Sequence, residues 1–457
     1  MSSSLPASAD VIVVGCGAAG LSAAIEAADL GAEVLVLESQ PESAGSTRRS
    51  AGYAVFCETD LEPGSAAEIY EDLLHAHHDD HDEALVRRYV EAAPGAYVRL
   101  RELGVDFART FQFAHMHRPW GHEVASEGLN GGAELGNRLE RAARQRSIAI
   151  ATSARARRLL VEGSRVAGIA IETTDGMREV IARKGVVLAS GGFTRNADMV
   201  RNYGPPGTEA ILPITGLGSL GDGLKMALAL GADTAYIAAG VAPTGPADPK
   251  TGHGAMLVYS GAVILNREGR RFCDESGLYN DISWAALKQP EALILQIYDT
   301  AVRDAHLGTM LGRTLKGYDE ASADTLPGLM SLLAEECGLD EAAAVASIES
   351  YNEAVSAGRD PGFGRLHLVG TSGKAPPIDK PPFYGIVTVP GTTHFNGGLK
   401  IDAEMRVIDV FGEPIPGLYA AGEVTGGFHG KGYLSGTHVG MALIFGQIAG
   451  RAVLSRT

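Results

Sequence analysis

A glycine-rich turn near the N-terminus constrains the fold of this sequence most strongly. The short apolar run Ala9–Val14 leads into Gly15–Gly20, which reads Gly-Cys-Gly-Ala-Ala-Gly, and then into a helical stretch from Leu21 to Leu30. A second apolar run, Glu33–Leu37, is followed by Glu38. Strand, glycine turn, helix, strand and acid in this order predict a βαβ unit with an acidic residue at its end.

Each glycine of the turn has a mechanical role. Gly15 allows the tight turn, Gly17 lets the backbone approach a pyrophosphate, and Gly20 lets the helix pack closely on the strand. The helix N-terminus offers N–H groups and a partial positive charge to the phosphates. Glu38 is placed to accept hydrogen bonds from a ribose diol. The segment therefore predicts a dinucleotide-binding site.

A second glycine motif favours FAD over NAD as the dinucleotide. Residues 417–423 read Gly-Leu-Tyr-Ala-Ala-Gly-Glu, far along the chain from the first motif. We expect Glu423 to meet the ribityl chain. The segment that follows, with the final helix over 438–454, would direct backbone N–H groups at the N1/O2 edge of a flavin, where negative charge develops on reduction.

Composition and charge exclude several classes of protein. Glycine accounts for 59 of the 457 residues without a collagen period, and the formal net charge is −16. This charge argues against nucleic acid or an anionic membrane as the main partner. Apolar runs fall short of the ~18 residues that span a bilayer, and the first nine residues do not resemble a signal peptide. The scattered cysteines favour reduced thiols in a cytoplasmic protein.

The distribution of residue types along the chain predicts an α/β fold with two domains. Residues 1–241 and 386–457 carry the apolar strands and glycine turns of a Rossmann-like FAD-binding domain with a parallel sheet. Residues 242–385 are richer in proline, acidic residues and long helical patterns. We interpret them as an inserted α+β cap domain that contributes to the substrate site.

Several segments carry a family resemblance when taken together. They are Gly15–Gly20 with Glu38, Ala189–Phe193, Gly221–Gly223, Asn396–Asp402, Gly417–Gly430 and Phe445-Gly446. In this order they resemble the fumarate reductase/succinate dehydrogenase flavoprotein superfamily. The resemblance implies an FAD domain split by a cap domain, with the active site at their junction.

Two arginines of the family's fumarate reductases are replaced here. One serves as the proton donor and follows a Phe-x-Asn-Glu segment of the cap, and Tyr279 occupies its position. The other follows a His-Gly pair and clamps a substrate carboxylate, and Tyr433 occupies that position. His394 still matches a substrate-contacting histidine. Without both arginines, bidentate carboxylate recognition is lost, so we do not expect a dicarboxylate substrate.

The two tyrosines resemble those of the 3-ketosteroid dehydrogenases, and the segment Tyr433–Thr437 is most similar to their Δ4-type branch. The resemblance implies α,β-desaturation of a ring ketone. The hydroxyl of Tyr433, with Ser435 or a backbone N–H, would polarise the carbonyl, and Tyr279 would take the α-proton while flavin N5 accepts hydride. For a phenol of pKa about 10 to act as a base near pH 7, neighbouring groups must lower the energy of the phenolate by about 4 kcal/mol. The candidates for these groups are Tyr53, Tyr259 and His394.

The predicted site therefore has catalytic and cofactor-binding members. The predicted catalytic residues are Tyr279, Tyr433, Ser435 and His394. The predicted FAD-binding residues are Gly15, Gly17, Ala18, Ala19, Gly20, Glu38, Ser39, Ser46, Ser50, Ala51, Gly52, Gly191, Asp222, Glu423, Ser435, Thr437, His438 and Val439. Since Ser43–Ser50 contains no histidine, we expect FAD to be held non-covalently.

These residues predict an FAD-dependent dehydrogenase whose partner is a small cyclic ketone, either a 3-ketosteroid or a monocyclic cyclohexanone. One alternative is an enoate or enone reductase that runs in the reverse direction. The other is a flavin-binding assembly or sensor protein without turnover. No metal is expected, because the His and Asp residues between His75 and Asp82 are typical of a solvated helix end. The electron acceptor and the oligomeric state are left open.

Overall fold

The computed structural model describes residues 5–43, 45–77, 80–112, 116–127, 130–204, 206–238, 241–277, 279–309, 312, 318–368, 373–430 and 432–455. The chain divides into two compact units. The first unit comprises Met1–Glu209, Thr215–Val241 and His394–Thr457. The second unit comprises Ala210–Ile214 and Ala242–Thr393.

Helices and strands both occur along the whole chain. The helices are α1 (Ala18–Asp29), α2 (Ser46–Arg49), α3 (Ala66–Ala76), α4 (Glu83–Glu102), α5 (Gly131–Gln145), α6 (Ala197–Tyr203), α7 (Asp222–Leu228), α8 (Tyr279–Ala286), α9 (Thr300–Leu307), α10 (Leu326–Cys337), α11 (Glu341–Ser356) and α12 (Thr437–Ala452). The strands are β1 (Ser8–Val14), β2 (Val34–Leu37), β3 (Tyr53–Val55), β4 (Phe107–Phe111), β5 (Gly121–Val124), β6 (Ala149–Ala151), β7 (Arg155–Glu162), β8 (Arg165–Thr173), β9 (Gly176–Leu188), β10 (Leu212–Pro213), β11 (Thr234–Ala235), β12 (Val241–Asp248), β13 (His253–Gly254), β14 (Val263–Leu265), β15 (Ile294–Asp299), β16 (Ala321–Ala323), β17 (Phe383–Phe395), β18 (Gly398–Leu399), β19 (Arg406–Ile408) and β20 (Pro414–Ala420).

A parallel sheet forms the centre of the first unit. Its strand order is β19-β20-β9-β1-β2-β6, and β1 pairs in parallel with both β2 and β9. Val11, Ile12 and Val13 are fully buried, which is why β1 reads as a continuous apolar run and does not alternate. This sheet and its helices confirm the predicted Rossmann-like α/β fold.

Two helices of the first unit lie in direct backbone contact. Helix α12 packs against α1, and a Cβ built on Gly446 would lie 2.4 Å from the carbonyl oxygen of Ala19. A side chain at this position would push the two helices apart. Because α1 begins at the glycine turn, the position of α12 is tied to that of the turn.

The second unit is built around an antiparallel sheet. Strands β13, β12, β17, β15 and β14 follow one another in this order. Helices α10 and α11 cover the sheet with buried side chains such as Leu329, Leu333 and Ile348. A buried ion pair joins Arg271 and Glu275 at 2.5 Å just before helix α8.

The end of the second unit lies further along the chain than the sequence indicates. We expected the return to the FAD-binding domain at residue 386, whereas this unit continues to Thr393. The reason is strand β17, which runs unbroken from Phe383 to Phe395 and pairs with β15 along residues 383–388. A long strand that leaves one unit and ends in the other hides the boundary from local sequence patterns.

Gly446→Ala should destabilise the protein by about 1–3 kcal/mol, because its Cβ would overlap a backbone oxygen of α1. The matched control is Gly95→Ala in the exposed part of α4, where a Cβ meets no atom within 4 Å. That variant should be neutral or stabilising by up to about 1 kcal/mol. Thermal unfolding followed by circular dichroism compares the two, and equal midpoints would contradict the proposed helix contact.

Candidate active site

The glycine turn between β1 and α1 brings backbone segments into close contact. Gly15 has a φ of +110°, and a Cβ there would lie 2.2 Å from the carbonyl oxygen of Ala189. At Gly20 a Cβ would lie 1.9 Å from the carbonyl oxygen of Gly15. Helix α1 begins with Ala18 and Ala19 immediately after Gly17. Its N-terminal N–H groups are therefore presented at the turn, as an anion site requires.

Glu38 lies beside this turn at the carboxyl end of β2. It is 6% exposed, and its carboxylate accepts hydrogen bonds from the backbone N–H of Cys16 at 3.2 Å and of Gln40 at 2.9 Å. The hydroxyl of Ser39 donates to the same carboxylate at 3.3 Å. These bonds hold Glu38 against the turn, in the position predicted for a ribose contact.

The segment from Ser46 to Gly52 borders the N-terminus of α1. The hydroxyl of Ser46 accepts a hydrogen bond from Gly216 N–H at 3.1 Å, and the hydroxyl of Ser50 donates to a carbonyl within α2 at 2.7 Å. Ala51 is half-buried, and the carbonyl of Gly52 accepts from the N–H that ends β5 at 2.9 Å. The hydroxyl of Thr47 accepts from the first N–H of α1 at 3.0 Å, which joins this segment to the glycine turn.

Glu423 follows β20 and lies against the turn at Gly191. A Cβ built on Gly192 would lie 2.3 Å from Oε1 of Glu423, which shows how closely the carboxylate approaches that backbone. Burial raises the pKa of Glu423 to about 7, and backbone N–H groups of Gly192 and Phe395 partly oppose this effect. Among the residues the structure describes, Oε1 of Glu423 has no hydrogen-bond partner.

Tyr433 lies in the loop before α12 with its hydroxyl oxygen turned towards the helix start. The backbone N–H of Gly436 donates to that oxygen at 3.1 Å. The hydroxyls of Ser435 and Tyr53 are 2.9 Å apart. Burial raises the pKa of Tyr433 to about 12, although Gly436 and Ser435 partly offset the effect by hydrogen bonding. Tyr433 is therefore a neutral phenol at physiological pH.

Three imidazole rings surround Tyr433. The ring centroids of His394, His429 and His438 lie 4.6, 5.4 and 5.2 Å from that of Tyr433. Burial lowers the pKa of His394 to about 3, and burial together with repulsion among the rings lowers the pKa values of His429 and His438 well below the ordinary value. The phenol thus lies among uncharged rings.

The N-terminus of α12 adjoins the loop that carries Tyr433. Its N-cap is Gly436, which makes no side-chain cap, and the hydroxyl of Thr437 donates to the carbonyl of Leu434. His438 and Val439 are half-buried in the first turn. This arrangement leaves backbone N–H groups for an electronegative edge of a ligand, which fits the predicted contact with the flavin N1/O2 edge.

Asp222 has a protein partner that the sequence did not indicate. As the first residue of α7 it forms a bidentate ion pair with Arg155, with distances of 2.7 and 2.9 Å. This pair ties α7 to β7. Both oxygens of its carboxylate are thus engaged in a structural contact. A cofactor-binding role for Asp222 stays a prediction.

Tyr279 lies in the second unit, whereas Tyr433 lies in the first. It is half-buried at the start of α8, and its ring centroid is 6.3 Å from that of Tyr259. Of the three candidate helpers, Tyr259 lies next to Tyr279, while Tyr53 and His394 lie near Tyr433. Tyr259 is thus the candidate helper that lies beside the predicted base, and the other two lie beside the predicted carbonyl donor.

Two kinds of feature are missing from the part of the chain that the structure describes. No three His, Cys, Asp or Glu side chains there are arranged to hold a metal ion. No helix in those residues combines the length and the apolar character needed to cross a membrane.

Comparison with known proteins identifies the family. Residues 10–439 match the FAD binding domain family. The chain belongs to this family, and it binds FAD. It is 31% identical over 99% of its length to the NADH:fumarate oxidoreductase of Klebsiella pneumoniae, but spans only 48% of that relative.

Two solved structures are similar over almost the whole chain. A flavocytochrome c3 fumarate reductase in an open conformation has a TM-score of 0.86 and 27% identity, covering 99% of this chain and 80% of that one. The 3-ketosteroid-Δ4-(5α)-dehydrogenase of Rhodococcus jostii, in complex with 4-androstene-3,17-dione, has a TM-score of 0.73 and 26% identity, covering 100% and 99%. The predicted superfamily is confirmed.

The residues of the first unit fit FAD. The glycine turn leaves no room for side chains and exposes the N-terminus of α1 to a pyrophosphate. Glu38 lies at the end of β2 where an adenosine ribose is held in such folds. The unpartnered Oε1 of Glu423 and the uncapped start of α12 provide an acceptor and donors for the flavin half of the cofactor.

Sequence reasoning missed several contacts of the site. Thr47 bonds to the first N–H of α1, and Arg155 neutralises Asp222. His429 was read only as part of the motif that precedes Tyr433, although its ring contacts that tyrosine. The spacing of His429, Tyr433 and His438 within one short segment was an available signal for this contact.

Glu38→Gln should raise the dissociation constant of FAD at least about tenfold, because the charge that orders the turn and meets the ribose is lost. The matched control is Glu33→Gln, which removes an exposed carboxylate of the same βαβ unit that pairs with Arg183. Flavin fluorescence titration of the FAD-free proteins measures both constants. An unchanged constant for Glu38→Gln would contradict the ribose contact.

Glu423 should make the stability of the FAD-free protein fall as the pH rises. The pKa of its carboxyl in the folded protein is about 7, above the ordinary value of 4.5. The stabilisation that the protonated carboxyl provides is therefore complete below pH 4.5 and is lost as the pH rises through 7. Glu423→Gln cannot titrate. Its unfolding midpoint should therefore rise relative to wild type over this pH range.

The control for that titration is Glu413→Gln, which removes an exposed carboxylate just before β20. Its midpoint should follow that of wild type at every pH. If Glu423→Gln also follows wild type, the carboxyl of Glu423 does not carry the raised pKa.

Proposed function

We propose that the protein is an FAD-dependent dehydrogenase acting on a CH–CH group, which introduces a C=C bond α,β to the carbonyl of a cyclic ketone. The substrate class would be a 3-ketosteroid or a smaller cyclohexanone. The single observation that carries this proposal is the position of the Tyr433 phenol, which is neutral and lies among uncharged imidazole rings near the start of α12.

The electrostatics at Tyr433 favour an uncharged carbonyl over a carboxylate. A dicarboxylate needs fixed cations, and bidentate arginine is the usual means of binding one. His394, His429 and His438 are held neutral by burial, so they supply polarity without positive charge. A ketone oxygen requires only a hydrogen-bond donor, which a neutral phenol provides.

Tyr433 is arranged to donate. Its oxygen accepts the N–H of Gly436, and its hydroxyl hydrogen would point at a substrate carbonyl. Because an accepted bond makes the hydroxyl a stronger donor, developing negative charge on the enolate oxygen would be stabilised there. Ser435 also forms a hydrogen bond with Tyr433, and its hydroxyl lies 2.9 Å from that of Tyr53.

Tyr279 is the proposed base for the α-proton, with Tyr259 as its neighbour in the second unit. Removal of that proton places charge on the carbonyl oxygen, which is the charge that Tyr433 would stabilise. The bound FAD, held non-covalently, supplies the hydride acceptor for the β-carbon. The proposed cytoplasmic location follows from the predicted reduced cysteines.

The second candidate is a reductase of activated C=C bonds. It is favoured by the 31% identity to the NADH:fumarate oxidoreductase and by the histidine at position 394. The same donor would then stabilise the enolate formed by hydride addition, since one scaffold serves both directions of a reversible step.

Anaerobic titration of the FAD-loaded protein separates the two candidates. A panel of 3-ketosteroids and cyclohexanones should bleach the flavin absorbance, and the enone product should appear in equal amount. If instead no ketone bleaches the flavin, while prereduced flavin is oxidised rapidly by an α,β-unsaturated acid, the dehydrogenase proposal is wrong.

Tyr433→Phe should slow flavin reduction by an active ketone about 10²–10³-fold, because an oxyanion donor is removed while the ring is kept. FAD should stay bound. The matched control is Tyr70→Phe, which removes an exposed hydroxyl that bonds to Glu83. Stopped-flow absorbance measures both rates, and an unaltered rate for Tyr433→Phe would exclude it as the carbonyl donor.

A further inference from the structure

Three half-buried hydroxyl side chains, those of Tyr53, Ser435 and Tyr433, are linked by hydrogen bonds within the first unit. The hydroxyl oxygens of Tyr53 and Ser435 are 2.9 Å apart, and Ser435 in turn bonds to the hydroxyl of Tyr433. We call these three side chains the hydroxyl chain. It joins strand β3, which begins with Tyr53, to the loop before α12. Tyr53 thus reaches the predicted carbonyl donor through a single intervening side chain.

The ring of Tyr53 is held by packing on two sides. On one side a Cβ built on Gly436 would lie 2.8 Å from Cδ2 of Tyr53, so the ring requires a glycine at the N-cap of α12. On the other side Phe111 contacts the ring edge to face, with ring centroids 5.0 Å apart and an interplanar angle of 84°. A phenylalanine at position 53 would make the same two contacts. They fix where the hydroxyl lies, but they do not account for its presence.

The single hydrogen of each hydroxyl sets the direction of the hydroxyl chain. In the function proposed above, on which this inference rests for its substrate, Tyr433 gives its hydrogen to a ketone oxygen. The bond between Ser435 and Tyr433 must then use the hydrogen of Ser435, and the bond between Tyr53 and Ser435 must use that of Tyr53. The three O–H bonds consequently point the same way, from Tyr53 towards the substrate.

We propose that Tyr53 is a positioning residue, which acts through Ser435 to make Tyr433 a stronger hydrogen-bond donor to the substrate carbonyl. Hydrogen bonds that point the same way polarise one another, so each bond that a hydroxyl accepts makes it a better donor. Because negative charge develops on the carbonyl oxygen only during the reaction, the hydroxyl chain stabilises the transition state more than the bound ketone.

A titration without substrate tests the hydroxyl chain in the FAD-loaded protein. A polyfluorinated tyrosine placed at position 433 has a more acidic phenol than tyrosine, and fluorine NMR follows its ionisation while the protein stays folded. A phenolate can only accept hydrogen bonds, so Ser435 must donate to it and Tyr53 must donate to Ser435. Tyr53→Phe should therefore lower the ionisation constant of this phenol about two- to threefold, and Ser435→Ala about tenfold.

The matched control is Tyr89→Phe. It removes a buried phenol hydroxyl that donates to the carbonyl of Val55 in β3 at 2.6 Å, so it alters the same strand while the hydroxyl chain stays complete. The ionisation constant at position 433 should then equal that of the protein without the second substitution. Equal constants in Tyr53→Phe and Tyr89→Phe would overturn the proposal.

The imidazole rings around Tyr433 do not complicate this titration. Burial lowers the pKa of His394 to about 3, and burial with mutual repulsion lowers the pKa values of His429 and His438 well below the ordinary value. All three rings are therefore neutral from neutral to alkaline pH, where the fluorinated phenol ionises. A change in its ionisation constant then reports on its hydrogen bonds.

A kinetic cycle shows whether Tyr53 acts through Ser435. With a ketone that bleaches the wild-type flavin, Tyr53→Phe should slow flavin reduction about two- to threefold and Ser435→Ala about tenfold. The double variant should be no slower than Ser435→Ala, because the hydroxyl chain is already broken there. A double variant slowed by the product of the two factors would show that Tyr53 acts independently of Ser435, which contradicts the proposal.

The two measurements separate this inference from the proposed function. If no ketone bleaches the wild-type flavin, the proposed function fails, while the fluorine titration still decides whether the hydroxyl chain exists. If ketones bleach the flavin and Tyr53→Phe leaves the ionisation constant unchanged, the inference is wrong and the proposed function stands. A constant unchanged by Ser435→Ala would overturn the hydroxyl chain as well, whether or not Tyr53→Phe folds.

Discussion

The contact of bare backbone at the turn between β1 and α1 determines the geometry of the first unit. Because Gly15 lies against the carbonyl of Ala189 and Gly20 against that of Gly15, helix α1 is fixed directly above the sheet. Helix α12 is fixed in turn, since Gly446 lies against Ala19. The carboxyl ends of β1, β2, β9 and β20 meet at one edge, and this edge carries the residues that fit FAD.

Burial of uncharged polar groups distinguishes the region around Tyr433. Burial lowers the pKa of an imidazole and raises the pKa of a phenol, so the Tyr433 phenol and its neighbouring rings are neutral at the same pH. Such a site stabilises negative charge where it develops during a reaction, because the imidazole rings that the structure describes around Tyr433 carry no permanent charge. This is the physical link between the replaced arginines and the ketone substrate that we propose.

The second unit contributes a different kind of constraint. The ion pair of Arg271 with Glu275 is buried and lies just before the helix that begins with Tyr279. A buried pair of this kind resists rearrangement, since breaking it leaves an uncompensated charge. Glu275 also accepts a hydrogen bond from the backbone N–H of Ile264 in β14 at 3.4 Å, which links the segment before α8 to its own sheet. The family scaffold hosts several chemistries, and such local differences decide which one a chain performs.

The sequence alone determined the βαβ unit, the α/β fold with its parallel strands and FAD as the cofactor, because glycine turns, continuous apolar strands and an acid at a strand end are local patterns with few physical solutions. Only the tertiary structure decided which side chains meet. The pairing of Asp222 with Arg155 and the ring contacts of His77 with Phe428 and His429 join segments far apart in the chain. Local periodicity cannot specify such contacts, since they depend on how sheets and helices pack.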